Sequence, residues 1–260
     1  MAGDVILTVE DRIGFLRLHN PERRNAISRS MWEKIATFAR SRSKREGLRV
    51  IVVSGEGDLA FSAGADVSEF ETGRSNTANA AAYDDLVEET CRSVEEIAQT
   101  TIALIKGACM GAGASLAASC DLRVASGDAF FSVPAARLGL GYDPRGIERF
   151  CRVFGENLTR FALFSARNIP AARAYQLGAV HALAALEEVD GIAIQLASSI
   201  AKNAPLTIEA AKYAIRSLAR NDAETRSEVA RLCAQADASA DYFEGRTAFF
   251  EKRPAKFLGR

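Results

Sequence analysis

Apolar residues alternate with polar ones over 5–10 and again over 12–18, where Ile13, Phe15 and the Leu16–Arg17–Leu18 end fix the period, so two strands meet at a Glu10–Asp11 turn. His19–Asn20–Pro21–Glu22 closes the second strand, because proline restricts the residue before it and donates no ladder hydrogen bond. Ser28 or Ser30 caps a helix over 31–41, whose Met31, Ile35, Phe38 and Ala39 recur at helical spacing. Leu48–Ser54 is a continuous β-branched run and reads as a buried parallel strand, the first β-α-β signal. The small-residue run 57–66 allows backbone to approach a ligand, and Asp66 at its end stands where it caps a short helix through Phe70. Positions 72–79 read as a mobile surface loop and 80–98 as an amphipathic helix.

A second buried strand at 101–105 runs into Gly107–Leu116, which opens a helix of small residues ending near Cys120. A strand over 129–133 follows, then a glycine-rich loop through Gly146. Beyond it the pattern turns helical, at 145–154, 157–165, 170–177, 188–201, 205–219 and 222–240, with one short strand at 178–183. These elements predict an α/β core over 1–200 and a helical region over 201–260 available for assembly.

With 260 residues, 48% of them hydrophobic and 25% charged, the chain is long enough for a sizeable core and has a soluble composition. Thirty-three basic and thirty-three acidic side chains balance, so no global field favours nucleic acid or anionic lipid. No apolar stretch is long enough to span a bilayer. The acidic and basic residues among 1–18 suit neither a secretory nor a transit signal, and a cytoplasmic location is expected. Five cysteines without a Cys-x-x-Cys pair argue against disulfides and structural zinc and read as small buried residues. His19 and His181 are too few and too isolated for a histidine triad, so both are expected to be surface or structural residues, and no motif specifies a metal.

The two glycine/alanine-rich turns carry the chemistry. Backbone amides aimed into an apolar cleft stabilise charge developing on a carbonyl oxygen, and a helix N-terminus adds its dipole. Ala65 and Ala112 are the candidate donors. The same composition also suits tight packing turns, and the pattern alone leaves both open.

Several ordered motifs together resemble the crotonase, or enoyl-CoA hydratase/isomerase, superfamily over nearly the full length. They are Asn20–Pro21 through Asn25–Ala26, Phe61-Ser-Ala-Gly-Ala-Asp66, the Gly107-to-Gly113 turn, Ser119-Cys-Asp-Leu-Arg-Val-Ala125, Gly178-Ala-Val-His181 and 244–253. The resemblance implies a spiral of β-β-α units with a C-terminal helical region that forms trimers or dimers of trimers. It implies an acyl-CoA or enoyl-CoA substrate of fatty acid metabolism, with no cofactor beyond the coenzyme A of the substrate itself. The amides of Ala65 and Ala112 become the oxyanion hole, and Ala63 the backbone position that reads adenine. Asp66 joins the CoA-contacting set, and Arg24, Lys252 and Lys256 become candidates for the phosphates.

The two glutamates of the family's hydratases fall here on Ser115 and Ala135, so an isomerase or lyase is expected before a standard hydratase. Asp143 matches an aspartate of dienoyl-CoA isomerases and chlorobenzoyl-CoA dehalogenases, and is a proton shuttle or, alternatively, a turn former before Pro144. Tyr142 matches a tyrosine of methylmalonyl-CoA decarboxylases, although Ala65 stands where those enzymes carry histidine. A catalytically silent acyl-CoA-binding homologue is the remaining alternative.

Overall fold

The computed structural model describes residues 3–41, 47–69, 76–218 and 222–260. Strands β1 (Asp4–Glu10) and β2 (Ile13–His19) form an antiparallel hairpin with Glu10 opposite Ile13. Asp11 and Arg12, at φ 44° and 68°, make the doubly left-handed turn whose twist suits a two-residue hairpin. Helix α1 (Arg29–Ser41) starts where Ser28 Oγ accepts the Met31 N–H at 3.3 Å, and it buries Met31, Trp32 and Ile35.

Three strand-strand-helix units follow. They are β3 (Val50–Gly55), β4 (Ala60–Ser62) and α2 (Thr77–Glu95); β5 (Thr100–Ile105), β6 (Ala108–Met110) and α3 (Gly111–Ser119); and β7 (Leu122–Ser126), β8 (Phe130–Ser132) and α4 (Pro144–Ser165). The first strand of each unit joins one sheet and the second strand joins another. With β9 (Ile169–Pro170) and β10 (Ala182–Ala184), the orders are β1-β2-β3-β5-β7-β10 and β4-β6-β8-β9, parallel except at β1–β2 and β8–β9. The expected spiral of β-β-α units is therefore present. Among these three units α3 alone starts directly after its short second-sheet strand, Gly111 following Met110, which fixes where its free amides point.

The main core fills the space among both sheets and α1–α4, around Trp32, Phe61, Phe131 and Phe150. A second cluster lies on the other face of the larger sheet, where Val189, Ala193 and Ala197 of α6 (Val189–Ala201) pack at four-residue spacing on Val50, Val52 and Ile102. After α5 (Ala171–Gln176), α6 and α7 (Pro205–Arg216), helices α8 (Ala223–Asp237) and α9 (Ala240–Glu251) complete the chain. Lys212 of α7 ties this region to the core, its Nζ 2.6 Å from Asp121 Oδ2 and 3.0 Å from the Gln99 carbonyl.

Several expected boundaries move. Thr77–Asn79 belong to α2, because Asn76 caps it by accepting the Asn79 N–H at 2.9 Å; the rest of the expected loop, 72–75, lies outside the described residues apart from Asn76. Strands β4, β6 and β9 are two or three residues long, too short to show a period, and β7 carries Arg123 through an otherwise apolar run. The expected helices 145–154 and 157–165 are the two arms of α4, broken at Gly155 with φ 73°. The helix expected over 222–240 stops at Asp237, and Ser239 caps a further one, α9. Of the cysteines, Cys91, Cys109 and Cys120 are buried as expected, Cys151 is half-buried, and Cys233 is exposed because it falls on the outer face of α8. Among the described residues no helix is long and apolar enough to cross a membrane, and no cluster of His, Cys, Asp and Glu is placed to hold a metal.

Candidate active site

The segment after β4 is pinned by three backbone bonds. Ala63 N–H donates to the Arg24 carbonyl at 2.9 Å, Ile27 N–H to the Gly64 carbonyl at 2.8 Å, and Asp66 N–H to the Ile27 carbonyl at 3.1 Å. In the resulting parallel bridge between Ile27 and Ala65, the bonds use Gly64 and Asp66, so the N–H of Ala65 points away from the ladder. Gly64 has φ 102°, and a Cβ there would stand 3.1 Å from the Met110 carbonyl oxygen and 3.7 Å from Ala112 N. Glycine at 64 is thus what lets the two turns lie backbone to backbone.

Ala112 is the second residue of α3, so its N–H has no acceptor within the helix, and Met110 at the N-cap brings no side-chain acceptor. Gly111 takes the left-handed conformation at φ 48°, while Ala112 does not. An alanine methyl is therefore tolerated at this position. Ala63, Ala65 and Ala112 line one cavity of about 150 Å³, which also receives the N-terminal end of α3 through Gly111 and Ala112.

Ser115 and Ala135 also line this cavity. Ser115 sits one turn past Ala112 on α3, and Ala135 in the short 3-10 turn Pro134–Arg137. The hydroxyl of Tyr142 lies 2.9 Å from Ser115 Oγ, and its ring meets Phe150 edge-on at 6.3 Å. Burial pushes the Tyr142 phenol well above its ordinary range, so it stays neutral, and either hydroxyl of the pair can donate to the other.

Asp143 lines the cavity and also caps α4, accepting the Arg145 N–H at 2.8 Å. Its two oxygens further accept from Arg145 Nε at 2.9 Å and Nη2 at 2.7 Å, while the same Nη2 reaches Asp85 at 2.8 Å. The side-chain bonds from Arg145 are the largest effect; burial opposes them, and the backbone bond and the charges of Arg145 and Arg149 join them in holding the Asp143 carboxyl below its usual range. Asp143 is thus a helix cap on the cavity wall whose two oxygens are both occupied by Arg145.

One carboxyl escapes sequence reasoning. Glu88 on α2 is 5% exposed and lines the same cavity. Its Oε2 lies 2.9 Å from Arg149 Nη1 of α4, although neither atom is aligned for a hydrogen bond. Arg149 Nε bonds Glu95 at 2.9 Å, and Glu95 also takes Arg152 at 2.7 Å. Burial raises the Glu88 carboxyl above the usual glutamate range, outweighing the attraction of Arg149. The available signal was an acid next to Val87 on the face of α2 that buries Tyr83, Val87, Cys91 and Val94.

The remaining expected contact residues divide. Asp66 is a correction: it does not line the cavity, because Arg23 Nη1 bonds both of its oxygens, at 2.7 and 2.8 Å, and Ser68 donates to it from backbone and hydroxyl. It does cap the short 3-10 turn Val67–Glu69, and Phe70, through which the helix was expected to run, lies outside the described residues. Arg24 is exposed at φ 50°, joined to the site through its carbonyl bond to Ala63. Lys252 and Lys256 are exposed in and beyond the C-cap of α9 and do not line the cavity of this chain. Other motif residues build the fold. Asn25 Nδ2 donates to the Glu56 and Ala60 carbonyls, buried Arg123 donates to the carbonyls of Ala179, Ala117, Cys120 and Asp121, and His181 Nδ1 accepts the Arg123 N–H.

Comparison with known proteins agrees with this geometry. A family model described as enoyl-CoA hydratase/isomerase matches residues 8–260. A Mycobacterium tuberculosis protein with the description "Probable enoyl-CoA hydratase" is 34% identical over 260 residues, covering 98% of this chain and 97% of its own. The methylmalonyl-CoA decarboxylase of Escherichia coli is 27% identical over 252 residues, covering 96% and 95%. The crystal structure of an enoyl-CoA hydratase/isomerase family protein from Hyphomonas neptunium superposes with a TM-score of 0.92 at 34% identity, covering 98% of each chain. The family model spans nearly the whole chain, and relatives in sequence and in fold agree with it: the chain belongs to the enoyl-CoA hydratase/isomerase family.

Proposed function

We propose that this chain binds an acyl-CoA or enoyl-CoA thioester with its carbonyl oxygen between the amides of Ala65 and Ala112, and acts through the thioester enolate as an isomerase or lyase. Members of the family act on CoA thioesters. The observation that carries the reading is the pair of unpartnered amides over a cavity whose two hydratase positions are Ser115 and Ala135. Breaking a Cα–H or Cα–carboxylate bond sends the electron pair toward the carbonyl oxygen, where two fixed donors and a helix N-terminus stabilise it without reorganisation. Syn addition of water needs a carboxylate pair, and neither position supplies one.

Decarboxylation is the second reading, favoured by the Tyr142–Ser115 pair. Two neutral hydroxyls 2.9 Å apart orient a carboxylate by donation without drawing it into an ion pair, and loss of carbon dioxide requires no base. The exposed aromatics Tyr242, Phe243, Phe249 and Phe250 of α9 support assembly into the expected trimer. The test is incubation with a panel of enoyl-, malonyl- and methylmalonyl-CoA esters and mass detection of products. Isomerised or decarboxylated product with hydration at least about 100-fold slower fits the proposal, on the scale that proton-transfer groups contribute. Rapid hydration of crotonyl-CoA, or tight thioester binding with no turnover at all, refutes it, the latter in favour of a binding protein.

A further inference from the structure

We propose that Glu88, on α2, is the group that exchanges the substrate proton in this cavity, standing in from a different helix for the carboxylates missing at Ser115 and Ala135. This rests on the enolate reading above. Glu88 lies on the cavity wall with Oε2 against Arg149, which leaves Oε1 on the side of Tyr142 and Gly146. Gly146 has no side chain, and a Cβ there would stand 2.8 Å from Tyr142 Cε1 and 3.1 Å from Glu88 Oε1. The bare α-carbon is what admits the carboxyl to the edge of the tyrosine ring that forms the cavity wall.

A proton-exchanging group must hold both charge states at modest cost, and the two sides of Glu88 supply this. Burial among Val87, Tyr142 and the backbone of α4 favours the neutral acid, while Arg149 at 2.9 Å favours the carboxylate. Asp143 is biased differently, because Arg145 occupies both of its oxygens and holds it ionised. In the forward step the Cα–H bond breaks, its proton goes to Glu88 Oε1, and its electron pair moves into the enolate, with negative charge on the oxygen between the two amides. Isomerisation returns the same proton to the γ-carbon of the dienolate. In decarboxylation the Cα–carboxylate bond breaks instead, carbon dioxide leaves, and neutral Glu88 gives its proton to Cα and regains one from water. Neither route needs an oxidant or another co-reactant.

The competing role is structural, since Arg149 also bonds Glu95 and the network joins α2 to α4. The experiment therefore uses a reaction in which a strut has no part, the exchange of Cα hydrogen of propionyl-CoA for solvent deuterium, read by mass. Wild type is expected to exchange. Glu88→Gln should lose at least about 100-fold while propionyl-CoA affinity stays within about threefold. Glu88→Asp keeps the charge beside Arg149 but withdraws the carboxyl by one methylene, and should lose at least about tenfold. Where Glu88→Gln fails to fold, Glu88→Asp decides. The wild-type rate should rise with pH through an inflection above the ordinary glutamate range. Of the groups facing Glu88, Arg149 and Arg145 stay cationic, Asp143 is held anionic, and burial keeps Tyr142 and Cys91 neutral; Asp84 and Glu95 flank it on its own helix. The residual exchange of Glu88→Gln should lack that inflection. Exchange within about threefold of wild type in a folded Glu88 variant overturns the role of Glu88 and leaves the enolate reading standing. A wild-type protein that binds propionyl-CoA and exchanges nothing overturns both.

Discussion

Replacing Ala112 by proline exchanges the amide hydrogen that the proposal assigns to the oxyanion for the Cδ of the ring, so it both removes the donor and fills its place. The N–H of Ala112, at the second helical position, has no acceptor within α3, so the helix loses no internal bond. Proline's fixed φ suits the first turn of a helix, and Gly111 before it has no Cβ to meet the proline ring. The folded state should therefore lose about 1 kcal/mol or less. The reaction loses one of its two oxyanion donors, an effect of about 2.7–4 kcal/mol, or roughly 100- to 1,000-fold in rate. Steady-state turnover of whichever CoA ester the product screen identifies gives the rate, and thermal unfolding gives the stability. Free coenzyme A has no acyl carbonyl, so its affinity should be the same for A112P and wild type. A folded A112P protein with turnover reduced less than about tenfold would refute the placement of the thioester oxygen at this amide.

Three other substitutions examine the surrounding wall. Y142F removes the hydroxyl 2.9 Å from Ser115 Oγ and leaves a buried serine oxygen without that partner, which should lower stability by about 1 kcal/mol in urea unfolding; an unchanged midpoint would mean the pair contributes nothing. G146A places a methyl 2.8 Å from Tyr142 Cε1 and 3.1 Å from Glu88 Oε1, and should cut kcat by at least about tenfold with unchanged circular dichroism; full activity would show that these two groups need not hold their positions. D143N keeps a competent helix cap but loses the Arg145 ion pair, costing about 1 kcal/mol or less at pH 7 because Arg145 is half in solvent. Since folding lowers the Asp143 pKa, its charged form stabilises the fold fully above the unfolded aspartate value of 3.8 and progressively less as pH falls through the lowered folded value. The stability gap between D143N and wild type should close on acidification, and a gap that widens toward low pH would contradict the pairing.

What sequence makes legible follows from how local each cause is. The larger sheet is readable because β3 and β5 are buried apolar runs, and α6 because its small residues recur every four positions. The smaller sheet is not, since β4, β6 and β8 contribute three residues each and take their order from the strands beside them. In the site, Ala65 and Ala112 are legible because close backbone approach demands small residues locally. Asp66 misleads for the converse reason: it stands at the right place in its motif, but its charge is claimed by Arg23 across a loop that composition does not reveal. Arg145, two residues from Asp143, was within reach of sequence reasoning, as an acid and an arginine flanking Pro144 at a helix start.

Glu88 belongs to neither group, and the reason bears on how such a cavity changes chemistry. Its properties depend on Arg149, on α4, and on the absence of a side chain at Gly146, so none of the relevant neighbours lies near it in the chain. Arg149 is nearly fully buried and needs compensating negative charge, which Glu95 supplies with an aligned bond at 2.9 Å. A second buried carboxylate, close to Arg149 but unaligned with it, adds desolvation cost without completing a hydrogen bond. Glu95 is shared with Arg152, so Glu88 also balances part of the charge of Arg149. A carboxyl on the cavity wall, in a site whose α3 and 3-10 turn have no acid at Ser115 and Ala135, is placed for the proton exchange proposed above as well as for the ion pair with Arg149, and the exchange experiment separates the two roles.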